Sequence, residues 1–311
     1  MSFAIVFPGQ GSQSVGMLAD LAAAFPQVRE TFEEASDAIG TDLWALSQEG
    51  PAEDLNRTEN TQPAMLSAGI AVWRIWQDQE GAQPVMLAGH SLGEYSALVA
   101  AGVLAFADAV RLVRERGRLM QAAVPAGEGA MAAILGLDDD QVRAICAEAA
   151  QGEVAEAVNF NSPGQVVIAG NAAAIARAVE AAKAAGARRA LPLDVSVPSH
   201  CALMQDAAAA LREAMNDITF AVPQIPVLHN VSVATADNPD AIRELLAQQL
   251  YSPVRWVETV RAMAEQGVDT LIEAGPGKVL SGLCKRIDKQ IAALPVYDGA
   301  TLDKALEKIN G

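Results

Sequence analysis

The sequence predicts an α/β fold: a core of parallel strands and helices, interrupted once by a smaller α+β unit. Three observations predict it. Short apolar runs that stop at glycines (3–7, 84–91, 269–275) alternate with longer stretches of helical spacing. Strand, tight turn and helix recur, and such alternation builds parallel sheets. Between 128 and 198 the order changes to strand, helix, strand, strand, helix, strand, the ferredoxin-like pattern.

In chain order, FAIVF at 3–7 is an apolar run of strand type, broken at once by Pro8-Gly9-Gln10-Gly11-Ser12-Gln13. Residues 17–38 and 61–80 carry apolar side chains at helical spacing. PVMLAGHS (84–91) reads as a second strand, and the Ala- and Leu-rich stretch from Gly93 to Ala101 as the helix after it. GAMAAILGL (129–137) opens the insert as a strand. DDDQVRAICAEAA (138–150) follows as a helix whose acidic start suits the helix dipole. VAEAVNF and QVVIAG, split by Asn161-Ser162-Pro163-Gly164, form a hairpin; a second helix closes on Gly186, and RRALPLDVSV is the last strand. After Pro198 the alternation resumes with IPVLHNVS as a strand, helices over 239–250 and 254–266, and the strand DTLIEAG. The expected division is therefore 1–127 with 199–311 as one discontinuous core and 128–198 as the insert.

With 311 residues, 51% of them hydrophobic, the chain has ample material for a large core. Its formal charge of −16 opposes nucleic-acid binding. Cys146, Cys201 and Cys284 are an odd set without metal-ligand spacing, which suits a reducing compartment and implies no metal. Residues 1–20 lack the layout of a signal peptide, and no apolar run is long enough to span a bilayer. A cytoplasmic protein without membrane contact is the expectation.

Gly89-His90-Ser91-Leu92-Gly93 fits G-x-S-x-G between a predicted strand and a predicted helix. A serine there projects from a strained turn, its flanking glycines admit close backbone, and the helix start offers N–H groups to an oxyanion. Of the three histidines, His90 adjoins the serine and leaves the turn in another direction. His229 ends an apolar run, the usual place of a hydrogen-bonded core histidine. His200 follows the insert at the seam with the core and is the base by elimination. Either Asp194 or a backbone carbonyl orients it. The first arrangement would be a serine-hydrolase triad and the second a dyad, and a non-catalytic binding module is a further alternative. Arg111, Arg114, Arg116 and Arg118 read, on their own, as a solvated helix face.

FPGQGSQ (7–13), GHSLGEYSAL (89–98), RERGRLMQ (114–121), GAMAAILGL (129–137), VPSHC (197–201) and QLYSPVRW (249–256), in that order, resemble the malonyl-CoA:acyl-carrier-protein transacylases of type II fatty acid synthesis along essentially the whole chain. The resemblance implies a hydrolase-like parallel-sheet core with the ferredoxin-like subdomain inserted. It implies Ser91 as nucleophile and His200 as base, with the Gln249 carbonyl orienting it. It also implies an oxyanion hole from the Gln10 and Leu92 N–H groups, and Arg116 on the malonyl carboxylate with His90 among the substrate-binding residues. The implied partner is acyl carrier protein, met through Arg188, Arg189, Lys285 and Arg286. Substrate is malonyl-CoA, the pantetheine arm arrives on the partner, no cofactor is implied, and the enzyme is expected as a monomer. Ser199, beside the base, leaves methylmalonyl-CoA open as an extender unit.

Overall fold

A computed structural model describes residues 2–193 and 197–311. Among them nine strands follow in chain order: β1 (Phe3–Phe7), β2 (Met86–Gly89), β3 (Gly129–Leu135), β4 (Ala155–Ser162), β5 (Gln165–Asn171), β6 (Arg189–Pro192), β7 (Val227–Leu228), β8 (Thr270–Ala274) and β9 (Ala292–Val296). Five form a parallel sheet in the order β7-β2-β1-β8-β9. The other four form an antiparallel sheet in the order β4-β5-β3-β6, the arrangement that the β-α-β-β-α-β succession of the insert produces. The fold is α/β as expected from the sequence.

The alternation within β1 explains why it is apolar throughout. Phe3, Ile5 and Phe7 enter one buried cluster, with Met65, Leu66 and Leu98 from the helices Thr58–Asp78 and Gly93–Ala100. Ala4 and Val6 enter another, with Val260 and Leu283 from the helices Trp256–Glu265 and Val279–Ile287. A parallel strand covered by helices on both faces has no solvent side to leave polar. The antiparallel sheet buries one face under its helices Asp139–Ala150 and Ala172–Ala184. From its other face Met131, Val158, Val167 and Ala169 pack with Cys201, next to His200. Its β4 is tied to the core by two main-chain bonds, Val254 N–H to the Val158 carbonyl (2.8 Å) and Phe160 N–H to the Val254 carbonyl (3.0 Å).

Several elements differ in extent from the sequence reading. The helix expected over 17–38 is two, Ala19–Ala24 and Gln27–Ile39, because Pro26 holds Phe25 extended. The run at 225–232 pairs only at Val227–Leu228, since His229 and Asn230 turn inward to a buried carboxylate. The last strand of the insert is Arg189–Pro192, and the remainder of that run, 194–196, lies outside the described residues. The fifth core strand, β9, was not singled out in the sequence. No described helix is long and apolar enough to cross a membrane.

Candidate active site

Ser91 stands where β2 gives way to the helix Gly93–Ala100, with φ at 51° in the left-handed region that non-glycine residues rarely occupy. Two groups hold it there. Its N–H donates to Asn230 Oδ1 (2.7 Å), and Asn230 Nδ2 donates to the Gly89 carbonyl (2.7 Å), so one buried side chain staples both limbs of the turn. The helix start is pressed onto β1: a Cβ on Gly93 would stand 2.0 Å from the Phe7 carbonyl oxygen, which is why only glycine fits.

His200 is 2% exposed and also left-handed, at φ 68°, with its N–H held by the Leu250 carbonyl at 2.8 Å. Its Nε2 lies 2.8 Å from Ser91 Oγ and its Nδ1 2.7 Å from the Gln249 carbonyl oxygen. A carbonyl only accepts, so Nδ1 carries the proton and Nε2 turns its lone pair to the serine hydroxyl, the tautomer of a general base. Burial, and then the neighbouring Arg116 charge, push this imidazole down from 6.5 to about 3. Asp194, the acid of the alternative triad, lies outside the described residues. The Nδ1 position that such an acid would use is met by Gln249. His229 is fully buried, its Nδ1 2.7 Å from Glu94 Oε1, and belongs to the packing behind the turn.

Arg116 departs from the helix-face reading. Arg111 and Arg118 are exposed and pair with Asp108 and Glu115, whereas Arg116 is 2% exposed and points to the serine. Its Nη2 lies 3.3 Å from Ser91 Oγ and 3.0 Å from Gln249 Oε1, its Nη1 2.9 Å from Gln62 Oε1, and the guanidinium stacks 5.5 Å from the Tyr95 ring centroid. Its buried Nε has no hydrogen-bond partner, and no carboxylate among the described residues forms an ion pair with it. A buried cation with no counter-charge in contact is costly, so a site built around one is suited to an anionic group.

These groups open on a cleft of about 120 Å³ lined by Gln10, His90, Ser91, Leu92, Arg116 and His200 from the core and Met131, Asn159 and Val167 from the antiparallel sheet. Sites for drug-sized ligands are about 300–1,000 Å³, so this one suits a short acyl group. The Pro8–Gln10 turn lies against the serine turn so closely that a Cβ on Gly9 would stand 2.4 Å from the His90 carbonyl oxygen. Among the described residues the N–H groups of Gln10 and Leu92 have no hydrogen-bond partner. His90 turns away from Ser91: its Nε2 meets Asn161 Oδ1 at 2.8 Å and its ring packs on Trp256, with burial lowering its pKa.

Arg188, Arg189, Lys285 and Arg286 are all exposed. Arg286 Nη1 bonds Gln165 Oε1 at 2.7 Å, and Leu135 pairs with both Gln165 and Arg189. Two strand spacings, about 10 Å, therefore separate the backbones of Arg189 and Gln165, which brings the two basic groups to one end of the antiparallel sheet. Sequence reasoning missed Asn230, Glu94 and Gln62. Nothing local marks them, since each acts on a partner more than fifty residues away.

A family model described as acyl transferase domain matches residues 4–299. The malonyl CoA-acyl carrier protein transacylase of Escherichia coli K12 is 61% identical over 305 residues, 98% of this chain and 99% of that one. A solved acyl carrier protein S-malonyltransferase from Vibrio cholerae has a TM-score of 0.96 at 60% identity, covering 98% of this chain and 99% of its own. A malonyl-transacylase solved in complex with its type II PKS acyl-carrier protein has a TM-score of 0.98 at 59% identity, covering 99% of this chain and 100% of that chain.

Proposed function

The chain belongs to the acyl transferase domain family, and from that premise we propose that it moves a malonyl group from malonyl-CoA to the pantetheine thiol of acyl carrier protein, in fatty acid biosynthesis, through an ester on Ser91. His200 Nε2 takes the hydroxyl proton as Ser91 Oγ attacks the thioester carbon. The oxyanion is met by the Gln10 and Leu92 N–H groups. Collapse breaks the carbon–sulfur bond, and CoA leaves as a thiol with the proton from His200. In the second half the pantetheine thiol gives its proton to His200, attacks the ester, and the serine leaves with that proton restored. Two displacements through one serine give ping-pong kinetics.

The observation that carries the malonyl reading is the buried Arg116 beside Ser91 with only neutral contacts. A substrate carboxylate supplies a counter-charge in direct contact, whereas an acetyl group leaves the guanidinium without one. The relative solved with its acyl-carrier protein supports the partner, and the basic groups at 188, 189, 285 and 286 form its docking patch. We assign residues 1–127 and 199–311 to catalysis and 128–198 to the wall that narrows the cleft. Acyl exchange between thiols has no net redox change and calls for no cofactor. We place the enzyme in the cytoplasm as a monomer. Brief exposure to malonyl-, methylmalonyl- or acetyl-CoA followed by intact-mass measurement tests the scheme. Malonyl is expected on Ser91 and absent from Ser91→Ala; a wild-type protein that stays unacylated would refute it.

A further inference from the structure

Three helices bring groups to Arg116, and what each brings is neutral. Gln62 Oε1 from the helix Thr58–Asp78 accepts from Nη1 at 2.9 Å, Gln249 Oε1 at the end of the helix Pro239–Gln249 accepts from Nη2 at 3.0 Å, and Tyr95 supplies a ring face. Both glutamines are buried, at 1% and 0% exposure. The Gln249 amide has one allowed orientation, because its Nε2 donates to Glu94 Oε2 at 2.7 Å and to the Ser91 carbonyl at 3.1 Å while its Oε1 faces a donor-only guanidinium. Glu94, 1% exposed, is thus separated from Arg116 by one amide and is occupied by His229 and the Asn230 N–H.

We infer that Gln62 and Gln249 are specificity-determining residues that hold Arg116 through neutral amide oxygens, so that its charge is left for the substrate carboxylate, with Glu94 as a counter-ion kept out of contact behind the Gln249 amide. The inference rests on the reading of Arg116 as the carboxylate anchor and says how that anchor is kept unspent. A carboxylate in place of Gln62 would fix the guanidinium equally well but would satisfy it before substrate arrived, whereas at 249 it would also lose the Nε2 donor that meets Glu94 and the Ser91 carbonyl. The arrangement trades stability for selectivity, since a cation without a contact counter-charge is costly to bury.

Gln62→Glu tests it, being nearly isosteric and placing a carboxylate where the amide oxygen now accepts. The readout is the ratio of malonyl to acetyl loading on Ser91, followed by intact mass, together with Tm. The ratio is expected to fall between tenfold and about 100-fold, the size of a charge-assisted contact, with Tm no lower than wild type. Gln62→Met, neutral and of similar length, is expected to lower Tm and keep the ratio. A folded Gln62→Glu protein with an unchanged ratio, equal loss of both acylations, or a Gln62→Met protein that loses the ratio as deeply would each overturn the inference. Should Gln62→Glu not fold, Gln62→Asp, which brings a carboxylate to the same side of Arg116 on a shorter side chain, is read by the same ratio and the same outcomes decide. The underlying reading fails separately: Arg116→Met keeping the wild-type ratio would remove Arg116 as anchor whatever position 62 does.

Discussion

His200 is buried beside a cation, and both conditions disfavour its protonated form, which holds it near 3 instead of 6.5. The proposed base is therefore neutral from neutral pH down towards about 3, and the acid limb of Ser91 acylation should lie well below pH 6. Burst formation of acyl-enzyme measured from pH 8 down to 5 checks this; a limb centred between 6 and 7, as for an ordinary imidazole, would contradict it. The same shift has a stability consequence. Below 6.5 the unfolded chain binds a proton that native His200 refuses until about 3, so stability is lost as pH falls through that window. A His200→Gln protein should lose part of this acid sensitivity in thermal melts taken between pH 7 and 5. Arg116 is legible at this scale only in part. Its helix carries four arginines at similar spacing, and which of them faces inward depends on what packs against it.

The Ser91 turn is built by elements, and its requirements are geometric. Because Gly93 lies against the Phe7 carbonyl, Gly93→Ala must push the helix Gly93–Ala100 off β1. The expected cost is about 1–3 kcal/mol in denaturant unfolding, with a larger proportional loss of acylation. A variant as stable and active as wild type would show that the contact is not tight. Asn230→Ala should remove both side-chain bonds of the turn, leaving the Ser91 N–H and the Gly89 carbonyl unpaired, at about 1–3 kcal/mol each. Its acyl loading should fall at least tenfold, read by the same burst assay. Strands and glycines of this turn are legible because they are contiguous: an apolar run, a stop and a helix start occupy residues 84–101. Asn230 is not, because it comes from beyond the end of β7 and its purpose depends on a neighbour 139 positions earlier.

At the scale of the molecule, an overall charge of −16 repels any acidic partner, and the proposed docking patch is a local basic exception to it. Arg189 and Arg286 share one end of the antiparallel sheet. Arg189→Glu with Arg286→Glu should raise the KM for carrier protein and leave malonyl-CoA loading of Ser91 unchanged, and the wild-type kcat/KM for carrier protein should fall as salt is added. Equal loss in loading and in transfer would place the patch elsewhere. The two-sheet layout was legible as a change in element order at 128–198, because a ferredoxin-like unit closes within local sequence. How that unit sits on the core was not, since β4 docks through two main-chain bonds to Val254 that any sequence could make.

By itself the sequence determined the period of each element, the strained G-x-S-x-G turn and the chemical types available for catalysis, because these depend on residues within a few positions of one another. Only the tertiary structure decided that Nε2 of His200 stands 2.8 Å from Ser91 Oγ, that a main-chain carbonyl faces its other nitrogen, and that one arginine of four is buried among neutral amides. Those are properties of elements brought together across the core. Burial and desolvation, which set the pKa of His200 and expose the Arg116 charge to a ligand, arise only when distant segments exclude water together.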